Sequence, residues 1–215
     1  MEGYEMRLRV RDAARRAYAG GLVTGTSGNV SEFDRESGLM VITPTSLPYD
    51  VMEPEDVVLM DLDGTVRDGC RAPSSEWRLH AELYRGLGDV SAVIHTHSPM
   101  ATAFAVLRRP IPLTLVEMLL FLGGEVPVAG LAVPGTAQVG ETAVRAMASP
   151  RRNACLLANH GVAAVGRSLD EAYIRAQYVE EAAVIGEAAA RSGLSVGAWV
   201  GDTAVGRARE DAARD

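Results

Sequence analysis

Residues 91–97 read SAVIHTH, and the architecture turns on how that stretch is placed. Ala92-Val93-Ile94 is a short apolar run, the length of a buried strand and shorter than the roughly ten residues a helix takes. The segment before it, EWRLHAELYRGL (76–87), carries helical spacing and runs out around Gly86 to Gly88. The segment after it opens on Ser98-Pro99, a cap and a first-turn proline, and continues as helix through Leu107. A strand set between two helices puts the chain in the α/β class.

Working outward, Val10, Ala13, Ala14, Ala17 and Tyr18 fall at helical spacing and stop at Gly20-Gly21. The composition then turns small and polar in TGTSGNVSEF (24–33). Two apolar runs follow, LMVIT (39–43) and VVLMDL (57–62), the second closing through Asp63-Gly64, a hairpin signal. These runs predict antiparallel strands, after which Pro73-Ser74-Ser75 introduces the helix before SAVIHTH. Downstream, an apolar helix is expected over Leu115 to Leu122, a short strand in VPVAG (126–130), a helix over 137–148 and a buried strand in ACLLAN (154–159). Ser168 with Glu171 three residues on reads as a capping box for a long helix ending near Gly193. Elements interleave without strict alternation, and no Gly-rich dinucleotide loop occurs. The expected fold is therefore a mixed, largely antiparallel sheet covered by helices. No repeat or linker divides the chain, so one domain over residues 1–204 is expected, followed by a charged tail at 205–215.

With 215 residues, 47% hydrophobic and 23% charged, the chain can bury a sizeable core. Twenty-one basic against 28 acidic side chains give a net charge of −7, with the basic ones scattered, which argues against a nucleic-acid surface. An anionic substrate must then be held by local amides, hydroxyls or a metal. The polar N-terminus and the lack of a long apolar run predict a soluble cytoplasmic protein without a membrane segment. Cys70 and Cys155 are too few for a disulfide framework, consistent with a reducing compartment.

Only four histidines occur, and three stand at the ends of apolar runs: His95 and His97 in SAVIHTH, His160 in ACLLANHG. Alternate strand residues face one side, about 6.6 Å apart, so His95 and His97 can converge on one ion. A pair of histidines bonded to backbone is the other reading of that doublet. His160, where a strand meets a glycine, shifts the balance toward metal, because three imidazoles with an open position are the layout of a catalytic zinc-type ion. His80, one turn into a helix, has no strand-end context and is read as structural.

Ser74, Ser75 and Glu76 stand at a helix start, where free amides and two hydroxyls can form an anion site or simply cap the helix. Glu76 suits the first turn, and is also a candidate fourth metal ligand or general base. Two further loops, Gly25-Thr26-Ser27-Gly28-Asn29 and Thr43-Pro44-Thr45-Ser46, can wrap an anion without a lysine, although such residues also merely make turns.

The motifs GTSGNVS, ITPTSLPYD, PSSEWRLH, HTH and NHG, in this order over most of the chain, resemble the class II aldolase/adducin family, and within it the fuculose-1-phosphate aldolase branch. The resemblance implies a three-layer α/β/α subunit and a homotetramer with active sites at subunit interfaces. It also implies a zinc ion, with Mn2+ or Co2+ as other divalent candidates. By the same likeness His95, His97 and His160 ligate the ion. Glu76 is its fourth ligand at rest and, once substrate displaces it, the acid/base at the nucleophilic carbon. Thr26, Ser27, Asn29, Thr45, Ser46, Ser74 and Ser75 fall on the family's phosphate-binding motifs. The implied reaction cleaves a small ketose 1-phosphate to dihydroxyacetone phosphate and an aldehyde, with a divalent cation as Lewis acid. The chain contains no lysine, which excludes a Schiff-base aldolase.

Two positions depart from that branch. Aligned on Gly123-Gly124, Glu117 stands where the fuculose-phosphate enzyme has a tyrosine reaching a neighbouring subunit's site, and Trp199 is the only aromatic residue after Tyr178. Glu117 is read either as half of an ion pair across a subunit interface or as a catalytic acid/base in an adjacent subunit's site. Two other family functions compete. A methylthioribulose-1-phosphate dehydratase-like lyase has a Glu-Met pair resembling Glu117-Met118 but lacks Ser-Ser-Glu. A metal-free, adducin-like scaffold is disfavoured by the three histidines and the acid.

Overall fold

The computed structural model describes residues 3–148 and 151–191. The elements run α1 (Tyr4–Ala19), β1 (Asn29–Asp34), β2 (Leu39–Ile42), β3 (Val58–Asp61), β4 (Val66–Asp68), α2 (Trp77–Gly86), β5 (Ala92–Thr96), α3 (Pro99–Leu107), β6 (Val128–Ala129), α4 (Ala137–Ala148), β7 (Ala154–Leu157), β8 (Gly161–Gly166) and α5 (Leu169–Arg191). The strands form one sheet in the order β4-β3-β2-β1-β5-β8-β7-β6. Every pairing is antiparallel except β6 with β7. The expected mixed, largely antiparallel sheet is the one found.

Strand alternation sorts the side chains into two cores. Val30, Val41, Leu59, Ala92, Ile94, Leu156, Val162 and Ala164 pack with α1, α3 and α5 on one face. Phe33, Met40, Ile42, Val58, Met60, Val93, Cys155, Ala163 and Val165 pack with α2 and α4 on the other. Helices thus cover both faces, giving three layers. His95 shares the parity of Val93, so it looks toward the α2 face, and so do Asn29 and Ser31, two and one alternations before Phe33. That parity brings β1, β5 and α2 to one site. No helix of the described residues is long and apolar enough to cross a membrane.

Several local expectations are corrected. Ser98 precedes α3 but makes no side-chain capping bond. The Glu180 carboxylate on α5 instead accepts from the main-chain N–H of Met100 and Ala101, at 2.9 and 2.8 Å. Ser168 Oγ does accept from Glu171 N–H, but the Glu171 carboxylate reaches Arg167 N–H rather than closing a box on Ser168. The apolar segment Leu115 to Leu122 forms a π-helical turn over Met118–Leu122 rather than a regular helix. Its last carbonyls are claimed from outside: Phe121 O by Asn153 Nδ2 and Arg175 Nε, and Leu122 O by Asn153 N–H. The tail at 205–215, Trp199, the domain limit at 204 and the helix end near Gly193 lie outside the described residues.

Candidate metal and phosphate site

His95 lies on β5, directly opposite Asn29 of β1 and Ala163 of β8. His97 follows the strand end, and His160 sits in the turn between β7 and β8. The β8 strand starts at Gly161 because nothing larger fits: a Cβ there would collide with the Thr96 carbonyl and lie 2.9 Å from the His97 ring. Gly28 answers a similar demand, with φ +77° and a would-be Cβ 2.6 Å from the His95 carbonyl. These two glycines let the histidine-bearing segments and the loop before β1 close on one another.

Glu76, immediately before α2, completes the cluster. Its Oε2 lies 3.1 Å from His95 Nε2, and its Oε1 lies 3.2 Å from His160 Nε2. His97 Nε2 is 3.0 Å from His95 Nε2, and the four candidate donor atoms all lie within 4.8 Å of one another. The Val162 carbonyl, 2.8 Å from His95 Nδ1, can only accept, so Nδ1 carries a proton and Nε2 is the ring atom turned toward Glu76 and the other imidazoles. Glu76 Oε1 is buried and makes no hydrogen bond. Ring nitrogens packed this closely beside an orphaned carboxylate oxygen repel one another unless protons or a metal cation sit among them. Three imidazole nitrogens and one carboxylate oxygen are a donor set for a divalent ion such as zinc.

The electrostatics agree. Burial raises the Glu76 carboxyl, but the hydrogen bond and charge of His95, then His160 and Asn29, outweigh it and carry it down to about 2, so it stays ionised. Burial chiefly, then the charges of His95 and His160, push His97 down to about 4. His160 is lowered by burial and by His95. Both shifts favour the neutral form of His97 and His160, which is the form that binds a metal.

Beside the cluster opens a cavity of about 350 Å³. The residues placed on the phosphate-binding motifs, Thr26, Ser27, Asn29, Thr45, Ser46, Ser74 and Ser75, line it together with Glu76, His97 and His160, whereas Thr43 is buried and accepts from Val30 N–H. His95 is fully buried behind them. The loop before β1 is tied down by Tyr49, whose hydroxyl donates to the carbonyls of Ser27 and Gly28 at 3.0 and 2.7 Å. Ser27 Oγ donates to Thr24 O, and Ser74 Oγ accepts from Glu76 N–H. Ser46 holds φ at +57°, a conformation rare for a side-chain-bearing residue.

Other placements differ from expectation or escape it. Pro134 and Gly135 also line the cavity, and only their turn chemistry distinguishes them in the sequence. The Asn29 side chain is almost completely buried, and its Nδ2 donates to Glu76 Oε2 at 3.1 Å rather than standing free for a ligand. Its Oδ1 meets His80 Nε2, so His80, read as structural, is linked to the site. Glu117 is exposed on the surface of the single chain and is not among the residues lining the cavity.

Comparison with known proteins supports the same assignment. Residues 9–185 match the family model described as Class II Aldolase and Adducin N-terminal domain. The chain is 41% identical over 165 residues to a 5-deoxy-D-ribulose 1-phosphate aldolase of Bacillus thuringiensis, covering 77% of this chain and 76% of that protein. It is 41% identical over 185 residues to a 5-methylthioribulose-1-phosphate/5-deoxyribulose-1-phosphate aldolase of Rhodospirillum rubrum, covering 85% and 81%. Among solved structures, an L-fuculose 1-phosphate aldolase superposes with a TM-score of 0.84 at 37% identity over 89% of each chain.

Proposed function

Because the chain belongs to the class II aldolase and adducin family, we propose that it is a metal-dependent aldolase. It cleaves a ketose 1-phosphate to dihydroxyacetone phosphate and an aldehyde. The observation that carries this reading is the convergence of Glu76, His95, His97 and His160 on one point at the edge of a hydroxyl-lined cavity. His95, His97 and His160 would hold the cation, with Glu76 as the resting fourth ligand, and zinc fits this donor set best, with Mn2+ or Co2+ as alternatives. When bound, the ion supplies Lewis acidity at the substrate carbonyl and its neighbouring hydroxyl.

The chain's own groups do the rest. Thr26, Ser27, Thr45, Ser46, Ser74 and Ser75, with the main chain of the loop bearing Asn29, hold the phosphate and fix the sugar against the cluster. The start of α2 lies at that end of the cavity, where Ser74, Ser75 and Glu76 line it, and the positive end of the helix dipole there offsets the unfavourable net charge of the protein. Cleavage breaks the bond between the carbons α and β to the carbonyl and leaves the electron pair on the α carbon of the three-carbon phosphate fragment. The hydroxyl on the departing carbon loses its proton as it becomes the aldehyde. Glu76, ionised at rest and freed from its ligand role, takes up a proton and delivers it to the carbon of the three-carbon fragment, so that the net transfer is one proton from hydroxyl to carbon. In the synthetic direction the same carboxylate removes that proton.

The two relatives named for 5-deoxyribulose and 5-methylthioribulose phosphates make a ribulose 1-phosphate lacking the terminal hydroxyl the first substrate class to test. Leu120, Phe121, Ile174, Val184 and Ile185 leave an apolar face on the π-helical turn and α5. That face supports a homotetramer in which Glu117 of one subunit serves a neighbour's site. Free Cys70 and Cys155 suit a cytoplasmic setting. The deciding experiment incubates zinc-loaded protein with 5-deoxyribulose, 5-methylthioribulose, ribulose and fuculose 1-phosphates and assays dihydroxyacetone phosphate. Its release from at least one supports the aldolase. Loss of water from methylthioribulose phosphate without that product would identify a dehydratase, and metal binding with no turnover would leave a scaffold.

A further inference from the structure

Glu76, His80 and Tyr84 are spaced four residues apart along α2 and its leading residue, so they form one stripe. Asn29, Ser31 and Phe33 alternate along β1 and form another. Four helical residues rise about 6 Å and two strand residues about 6.6 Å, so the two stripes stay in step over their length. Each member of one meets its counterpart on the other. Tyr84 stacks on Phe33 with ring centroids 5.0 Å apart, and its hydroxyl lies 2.5 Å from Ser31 Oγ. Ser31 Oγ is 2.6 Å from His80 Nδ1. His80 Nε2 meets Asn29 Oδ1, and Asn29 Nδ2 is 3.1 Å from Glu76 Oε2. Ser31 and His80 are wholly buried, and Tyr84 and Asn29 nearly so.

The charge at one end decides the direction of every bond in this line. An ionised carboxylate only accepts, so Asn29 must turn its NH2 to Glu76 and its carbonyl oxygen to His80. That carbonyl only accepts, so His80 Nε2 carries the proton and Nδ1 is left as the acceptor. Ser31 must then donate to Nδ1, and Tyr84 must donate to Ser31. Burial, chiefly, with the charge of His95, pushes His80 down to about 3, so the ring is neutral and has one donor and one acceptor, as the chain requires. With the ring neutral, no other arrangement of the protons satisfies all five groups.

We propose that His80 is a positioning residue: with Ser31 and Tyr84 behind it, it locks the Asn29 amide in the orientation that holds the Glu76 carboxylate toward the three imidazoles. This rests on the aldolase reading of the site, yet it concerns a residue that touches neither substrate nor metal. Its effect passes entirely through Asn29. A buried line of aligned hydrogen bonds fixes the carboxylate more firmly than a single contact does, because turning any one group breaks bonds on both sides.

The test compares His80→Met, which keeps volume and loses both bonds, with His80→Gln, whose amide can donate to Asn29 and accept from Ser31. In metal-free protein labelled with 15N at histidine, the His80 ring is expected to show the neutral tautomer protonated at Nε2. Titrated with Co2+, His80→Met should bind about tenfold more weakly than the parent, within the range of changes to groups that orient metal ligands. His80→Gln should bind within about threefold of the parent by the same measure. With substrate, kcat of His80→Met should fall about tenfold while KM stays within about twofold, and the glutamine variant should recover most of the loss. Should His80→Met fail to fold, Ser31→Ala, a smaller change, must weaken Co2+ in the same direction. An Nδ1-protonated ring, or parental Co2+ affinity in a folded His80→Met or Ser31→Ala, overturns the proposal. The tautomer and Co2+ readings need no turnover, so they judge this proposal even if the wild type cleaves no ketose phosphate, an outcome that would count against the aldolase reading alone.

Discussion

His95 Nδ1 donates to the Val162 carbonyl at 2.8 Å across the β5–β8 ladder, so a backbone group of a neighbouring strand determines which nitrogen of His95 faces the cavity. The partner is main chain and cannot be mutated away. The ring is held by the sheet itself with Nε2 toward Glu76 and His97.

Loss of any of the three imidazoles should therefore empty the site rather than rearrange it. His95→Ala and His160→Ala are each expected to reduce zinc from about one ion per chain to a small fraction, with kcat falling by at least about a hundredfold. Elemental analysis of dialysed protein and a parallel rate measurement check this. Undiminished metal content in either variant would remove that histidine from the site.

The phosphate and proton roles separate kinetically. Ser75→Ala should raise KM by about tenfold with little change in kcat, because a hydroxyl bonded to phosphate acts alike before and during reaction. Glu76→Gln should depress kcat by at least about a hundredfold, since the amide keeps the shape but cannot carry the proton. Steady-state kinetics on the best substrate of the panel measures both. A KM effect in the glutamine variant alone would contradict the assignment.

Glu180 clamps the first turn of α3, three residues past His97, through two main-chain N–H groups. Glu180→Ala leaves both donors without that acceptor and Ser98 does not replace it, so the variant should lose about 1–2 kcal/mol of stability. Urea unfolding of metal-free protein measures the loss. An unchanged midpoint would mean that another group takes over the cap.

Acid should destabilise the metal-free protein from an unusually high pH. His80 falls from its ordinary 6.5 to about 3 in the fold, so between those values the unfolded chain binds a proton that the folded one does not. Stability is complete above 6.5 and declines as pH falls toward 3, by about 1.4 kcal/mol per unit for one such group. Glu76, lowered from 4.5 to about 2 because His95, His160 and Asn29 outweigh the effect of burial, adds to the decline below 4.5. Unfolding midpoints across this range should be steep for the parent and flatter for His80→Gln. Equal slopes would show that His80 is protonated in the folded state.

Glu117 is exposed in the single chain, so Glu117→Gln should leave the melting temperature of dilute monomer unchanged. In the assembled protein, kcat should fall about tenfold or more if the residue acts on a neighbour's substrate. Rate and sedimentation measured together separate the alternatives: weaker assembly with full kcat would assign Glu117 to the subunit contact.

Much of this was legible in local pattern. The run Ala92-Val93-Ile94 and the hairpin signal at Asp63-Gly64 announce the sheet, because strand burial and turn chemistry are properties of neighbours in sequence. His95, His97 and His160 stand out because histidine at a strand end is uncommon in an otherwise apolar run. His80 does not, since its meaning depends on the register of α2 against β1, which no local pattern encodes. Glu180 is 80 residues from Met100, and its capping role arises only once α5 has docked. The π-helical turn escaped for a similar reason: an apolar segment reads alike in either helix type, and the groups that bond its last carbonyls, Asn153 and Arg175, come from far along the chain.

The β1–β5–β8 register carries one more consequence, in time rather than space. Asn29, His95 and the turn bearing His160 meet only after strands separated by more than 60 residues have paired, and loop closure over such distances is slow. The cluster of Glu76 and the three histidines is thus expected to assemble only once these distant strands have paired, not with the local hairpins alone. Cobalt added during refolding would colour only those molecules whose central strands have already found their partners, making the cluster a clock for that pairing.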